Sequence, residues 1–406
     1  MIPKDRMFYR FALYGFMKNI RLFDIFILLF LRANGLSYTE IGFLYAIREV
    51  SINLFEIPTG IFADAYGRRK SMVMSMLSYI FSFSIFYLTS SFVLFAVAMI
   101  LFGLGEAYRT GTHKAMILEY LKRKGILDKK VEYYGATRSF SQLGSAVNSL
   151  IAATVVFYTG NFRDIFLVTL IPYIINLVNL ATYPRYLDGE ISKRGEKRKM
   201  KTTLKDFISI FRNRLAFKAM LNSSAFDAAF KATKDYLQKI LEMFALSLPI
   251  LLFMSGEQRT AIVIGITYFF VYLLSSFASK HSYRIVEKIG NLTLAINSTM
   301  IIGGFVLLFA GISFSFSLDF LSIIMFLLLH TLHNIRRPMT VGYISEKIKS
   351  RVMASGLSAE SQLKTIFAAA FSILMGYVAD IFGVGAGLAT IGLILLILLP
   401  FVFLRE

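Results

Sequence analysis

The stretch Gly60-Ile61-Phe62-Ala63-Asp64-Ala65-Tyr66-Gly67-Arg68-Arg69-Lys70 closes one long apolar run, 40–62, and leads into another, 71–90. Glycines at this spacing permit a tight turn and a close approach of helices. The acid between them suits the N-terminus of another helix, where negative charge is favoured. The basic triplet marks a side of a membrane, because cytoplasmic loops hold an excess of Lys and Arg. The segment therefore reads as a cytoplasmic turn between two membrane spans.

Composition extends this reading to the whole chain. Its 406 residues are 56% hydrophobic and 17% charged, whereas soluble domains are about a quarter charged. That argues against a soluble enzyme. A spanning helix needs about 20 mostly apolar residues. Long apolar runs predict twelve: 8–33, 40–62, 71–90, 92–121, 131–158, 164–184, 214–241, 260–280, 292–312, 319–343, 352–378 and 384–404. The first contains Lys18, Arg21 and Asp24, so it is no signal-peptide core. The absence of cysteine excludes disulfides, thiol catalysis and thiolate metal sites. No tryptophan is present, so the 21 tyrosines must supply any interfacial aromatic belt.

The excess of Lys and Arg, 44 against 25 acids, follows the loops. With the N-terminus inside, basic residues crowd the inner segments around Arg6, Arg68, Lys122 to Lys130, Lys193 to Lys205, Lys280 to Lys288 and Lys347 to Arg351. The outer loops keep few, such as Arg32, Arg163 and Arg259. This predicts a multi-pass protein of the plasma (cytoplasmic) membrane with both termini in the cytoplasm. It also accounts for the net charge of +19 without nucleic acid. The domain reading is a six-helix bundle over 1–184, a cytoplasmic linker over 185–213 and a second six-helix bundle over 214–406. Within the linker, Thr203 and Asp206 suggest a capping box, and Leu204, Phe207, Ile208 and Phe211 an amphipathic helix.

Charge is not spread evenly over the spans. Spans 3, 6, 9 and 12 hold essentially none, and spans 1, 4, 7 and 10 hold the most. Ionisable groups facing lipid are costly, so the charged spans face protein or water. A three-span period repeated in both halves predicts an all-α membrane protein of two pseudo-symmetric bundles, each of nested three-helix repeats.

On these residues the chain resembles the major facilitator superfamily. Its loop signature, G-x-x-x-D-[RK]-x-G-R-[RK]-[RK], is matched by 60–70 except at Ala65, which replaces a basic residue. A degenerate counterpart holds Glu287 and Gly290. A further echo, Gly376-Tyr-Val-Ala-Asp380-Ile-Phe-Gly383, falls after span 11. The resemblance implies that Gly60, Asp64, Gly67 and Arg68 form a gating motif, with Asp64 clasping the start of span 11. It also implies that spans 1, 4, 7 and 10 line a central cavity. Span 5 lacks the Gly-Pro signature of one class of drug–proton antiporters, and Met99 stands where that class carries an arginine.

The polar faces supply the candidate substrate-binding or coupling residues: Arg21, Asp24, Glu106, Arg109, His113, Asp227, Lys231, His330, His333 and Arg337. Across the four spans, Lys18, Arg21, Arg109, Lys114, Lys231, Lys234, Arg336 and Arg337 outnumber Asp24, Glu106, Asp227 and Asp235. A positive cavity favours an anionic or zwitterionic substrate, and Arg suits carboxylate or phosphate. Local pairing is the competing reading for Lys231, four residues from Asp227. Lys114, Arg336 and Arg337 have snorkelling or gate salt bridges as their alternative. Asp24, Glu106 and Asp227, or the histidines, are candidates for proton coupling. His330-x-x-His333 is weak as a metal site among so many cations, and no metal or other cofactor is expected.

The expected function is secondary active transport by alternating access, proton-coupled, moving a small organic anion or amphipathic solute, with export favoured. No Walker motif points to ATP, and no enzyme activity is expected. Expected partners are a small-molecule substrate, protons and the lipid bilayer, with no nucleic acid, and the protein is expected to be a monomer. The alternatives are multidrug efflux of lipophilic cations and a non-transporting receptor on the same fold.

Overall fold

The computed structural model describes residues 3–188, 214–250, 252–347 and 353–404. Among these the secondary structure is helical, with no strand. In chain order the helices are α1 (Arg6–Lys18), α2 (Ile27–Ala33), α3 (Tyr38–Tyr66), α4 (Arg68–Leu88), α5 (Phe92–Arg109), α6 (Thr112–Arg123), α7 (Lys130–Thr159) and α8 (Asp164–Ala181). There follow α9 (Arg214–Thr233), α10 (Leu237–Ser247), α11 (Gly256–Lys280), α12 (Ser282–Ile289), α13 (Leu292–Ser315), α14 (Asp319–Lys347), α15 (Met353–Phe382) and α16 (Val384–Val402). Every predicted span coincides with one or two of them. The amphipathic helix expected over 203–211 lies outside the described residues.

Among the described residues, eight helical stretches are long and apolar enough to cross a membrane, one of them Phe92–Arg123 across α5 and α6. The exceptions are spans 1, 2, 7 and 10. Spans 1 and 7 are broken into two helices each, while α3 and α14 are long but carry charge. Large apolar side chains such as Leu88, Phe270, Phe309 and Phe401 stay exposed, as lipid-facing residues do.

Span 4 was expected as one helix and is instead two. Thr110 leaves the helical region and Gly111 follows with φ +75° before α6 begins. A side chain in that left-handed conformation costs about 1–2 kcal/mol, which accounts for glycine at the corner. Span 1 breaks at Asn19, whose amide nitrogen donates to the carbonyls of Gly15 (3.0 Å) and Ser141 (2.9 Å). The chain then passes Arg21 into a 3-10 turn, Leu22–Ile25. Span 7 breaks at a 3-10 turn, Lys234–Tyr236. Hydropathy detects none of these breaks, because the flanking residues remain apolar on average.

The chain divides into two compact units. Unit 1 is Met1–Phe30, Val50–Gly195 and Phe253–Tyr272; unit 2 is Leu31–Glu49, Glu196–Leu252 and Leu273–Glu406. Within unit 1, α4 and α5 pack through small residues. Ser71, Ser75 and Ser82 donate to the carbonyls of Tyr108, Gly105 and Ala98 at 2.9, 2.6 and 2.7 Å. Small side chains that bond across helices let backbones approach where lipid removes the hydrophobic drive. Unit 2 repeats the device between α14 and α13, where Ser322 donates to the carbonyl of Ala310 at 2.9 Å.

Candidate functional site

In unit 1 the break of span 1 and the break of span 4 meet in one charged network. Glu106, in the last turn of α5, receives Arg21 on Oε1 and Arg109 on Oε2. Arg21 also donates from Nε to the hydroxyl of Tyr173 at 2.8 Å and lies over the ring of Phe102. Tyr173 in turn donates to the carbonyl of Lys18 at 3.0 Å, and Asn148 donates to that of Arg21 at 3.2 Å. The frayed end of α1 is thus tied to α7 and α8 by side chains. Asp24 sits half-buried in the 3-10 turn that follows.

A cavity of about 150 Å³ opens beside this network, lined by Tyr14, Lys18, Arg109, His113, Lys114 and Arg138 among others. No acid lines it. His113 stacks on Tyr14 with ring centroids 3.9 Å apart and meets the edge of Phe11. The Nε2 of His113 and the Nε of Arg109 are buried without a hydrogen-bond partner among the described residues. Lys114 lies 5.6 Å over the ring of Tyr134.

Unit 2 holds the second cluster. Asp227 on α9 pairs with Lys364 of α15 at 2.7 Å and faces His333 Nδ1 at 3.4 Å. His333 stacks on Phe230 at 3.9 Å, and His330 meets the same ring edge-on. The local pair of Lys231 with Asp227, the competing reading for that residue, does not form. Lys231 reaches Glu49 at 2.6 Å, which Arg48 also contacts at 3.3 Å. At the break of span 7, Lys234 pairs with Asp235 at 2.5 Å. Glu360 is buried and accepts from the hydroxyl of Ser223 at 2.5 Å.

Arg336 neither snorkels nor forms a salt bridge to a carboxylate among the described residues. It is 1% exposed and donates to the carbonyl of Ile296 (2.5 Å), to Thr299 (2.9 Å) and to Asn222, with its guanidinium over Phe226. Neutral acceptors thus hold this cation inside unit 2. Its neighbour Arg337 is exposed. No group of three His, Asp or Glu able to hold a metal occurs among the described residues.

The loop motif is described only in part, because its implied partner at the start of span 11 lies partly outside the described residues. Gly67 turns the chain with φ +99°, and the N–H of Arg69 donates to Asp188 at 2.7 Å. Asp188, the last described residue at the start of the linker, thus caps α4. Arg68 reaches the carbonyl of Ala115 at 3.4 Å. Gly60 faces open space, and Asp64 is exposed with no hydrogen bond or ion pair among the described residues. The echo after span 11 does engage, because Asp380 binds the first turn of α3 within unit 2.

Sequence reasoning missed Lys364 as the partner of Asp227, Asp188 as the cap of α4, and Tyr173 altogether. Lys364 carried a signal, as a lone cation in an apolar span. The tyrosine carried none among so many.

Residues 11–361 match the Major Facilitator Superfamily. The chain belongs to this superfamily: it is a multi-pass membrane protein with a transporter fold. A 107-residue segment is 31% identical to the uncharacterized MFS-type transporter YxaM of Bacillus subtilis (strain 168), a match spanning 26% of each protein. Among solved structures, a mutant of the nucleoside transporter NupG superposes with TM-score 0.79 at 12% identity, over 98% of this chain and 100% of that one. A POT peptide transporter in complex with sulfate gives 0.70 at 14% identity, over 99% and 95%. A D-xylose-proton symporter gives 0.69 at 14%, over 98% of each. At these identities the likeness is one of fold.

Proposed function

We propose that the chain is a secondary active transporter of a small organic anion, working by alternating access with proton coupling, and favouring export. The observation that carries the reading is the unit 1 cavity, which sets Lys18, Arg109, Lys114 and Arg138 against a lining free of acids. Efflux of lipophilic cations needs an available carboxylate, and in unit 1 Glu106 is already taken up by Arg21 and Arg109. For proton coupling the proposed group is Asp227, a carboxylate within a membrane span that stands against both Lys364 and His333. The charge bias of the loops supports cytoplasmic termini. The domain reading, two six-helix bundles about a linker over 185–213, supplies the rocking halves that alternating access needs.

The test is flux in proteoliposomes under an imposed pH gradient, with a panel of organic anions and lipophilic cations. Anion flux that follows the gradient and is lost in Arg109→Gln supports the reading. Flux confined to lipophilic cations, or insensitive to the gradient in wild type and Asp227→Asn alike, would overturn the substrate or the coupling part respectively.

A further inference from the structure

The unit 1 cavity carries more positive charge than a monoanion balances. Lys18, Lys114 and Arg138 form no ion pair among the described residues. Of the four cations that line the cavity, Arg109 shares Glu106 with Arg21, which leaves Lys18, Lys114 and Arg138 as three positive charges without a paired acid among the described residues. Uncompensated charge inside a membrane span is expensive. A monocarboxylate would leave most of the surplus standing, whereas a dianion removes two charges at once.

Donor geometry narrows the choice further. α6 starts inside the cavity wall at Thr112, straight after the Gly111 corner. The N–H groups of its first turn, Thr112 to Lys114, have no acceptor within the helix. Such a helix start favours tetrahedral oxyanions. Beside it, His113 Nε2 and Arg109 Nε are buried and without partners among the described residues. A carboxylate offers two oxygens to these donors, and a phosphate ester offers three terminal ones.

We propose that this cavity takes a phosphate monoester as its dianion, a reading that rests on the anion transport proposed above. Arg109, the start of α6 and Lys18 hold the phosphate. Arg138 and Lys114 lie at the mouth, and the rings of Tyr14 and Tyr134 flank the organic remainder.

The experiment is isothermal titration calorimetry of the purified full chain with phenyl phosphate, phthalate and benzoate. At pH 8 phenyl phosphate is expected to bind at least about tenfold tighter than either carboxylate, as charge-assisted bonds to a third oxygen imply. Its affinity should fall as pH drops through about 6, where the second phosphate ionisation is lost, while benzoate binding holds. Lys18→Gln should weaken phenyl phosphate by about tenfold, the loss of one charge-assisted contact, and Arg138→Gln, at the mouth, should weaken it by less, with no loss of benzoate binding beyond that. Arg138 is exposed, so that variant should retain its fold. Phthalate binding as tightly as phenyl phosphate would overturn the phosphate assignment, and benzoate doing so would overturn the dianion; the anion reading survives both. Binding of none of the three removes the inference and the anion reading together.

Discussion

The carboxylate of Asp380 accepts the backbone N–H groups of Tyr38 and Thr39, at 2.8 and 2.7 Å, across more than 340 residues of sequence. The same helix start carries a capping box, in which Glu40 accepts from the N–H of Ser37 and Ser37 from that of Glu40. Donors that a helix leaves bare at its N-terminus are thus satisfied, two of them by a charge from another helix. One turn earlier on α15, a Cβ added to Gly376 would collide with the carbonyl of Tyr38, so only glycine allows the contact.

Asp380→Ala removes this clasp. Charge-assisted hydrogen bonds contribute about 1.5–3 kcal/mol each, so the contact between α15 and α3 should loosen. Ser372, buried against Gly42, reports on it. The chain has no native cysteine, so Ser372→Cys gives a single label site. Labelling by a membrane-impermeant maleimide should rise several-fold when Asp380→Ala is added. Unchanged labelling would show that the clasp does not hold the pair together.

Glu106→Gln strips the shared acid from two guanidinium groups. Removing one partner of a buried ion pair costs about 3–5 kcal/mol. The variant should lose thermal stability, read as retained monomer after heating and gel filtration. Arg109→Lys keeps the charge but forfeits the fork, so it should stay folded and bind anions more weakly.

Gly111→Ala forces a side chain into φ +75°. A loss of about 1–2 kcal/mol is expected from the left-handed conformation, with a larger drop in anion affinity because the start of α6 moves. Calorimetric binding and thermal unfolding on the same sample separate the two effects.

Arg336 and Arg337 should behave oppositely although adjacent. Arg336→Gln leaves the buried side-chain oxygen of Asn222 without its donor, at about 1–3 kcal/mol, and should lower yield and stability. Arg337→Gln, at an exposed position, should leave the melting temperature within about a degree.

The twelve spans were legible because lipid demands long apolar runs, and the family was legible in 60–70. The ion-pair partners were not. Asp227 and Lys231 stand one turn apart, yet each bonds a residue more than 130 positions away, because tertiary packing brings better partners than helix geometry does. Asp188 was read as part of a polar linker, since a capping acid and a solvated one look alike in sequence. The break at Gly111 was hidden by hydropathy, although a glycine two residues after a mid-span arginine was its visible trace.

The break also sets an electrical property. Lys18 ends a 13-residue helix, about 20 Å from its first residue at 1.5 Å per residue, against a hydrocarbon core of about 30 Å. With the start of α1 at the inner membrane face, as the proposed cytoplasmic termini require, a charge that settles beside Lys18 crosses a large part of the voltage drop before any conformational step. Each elementary charge moved through the full drop changes the energy by about 2.3 kcal/mol per 100 mV. Occupancy of the cavity by an anion should therefore depend on membrane potential, and binding alone should produce a transient current without turnover.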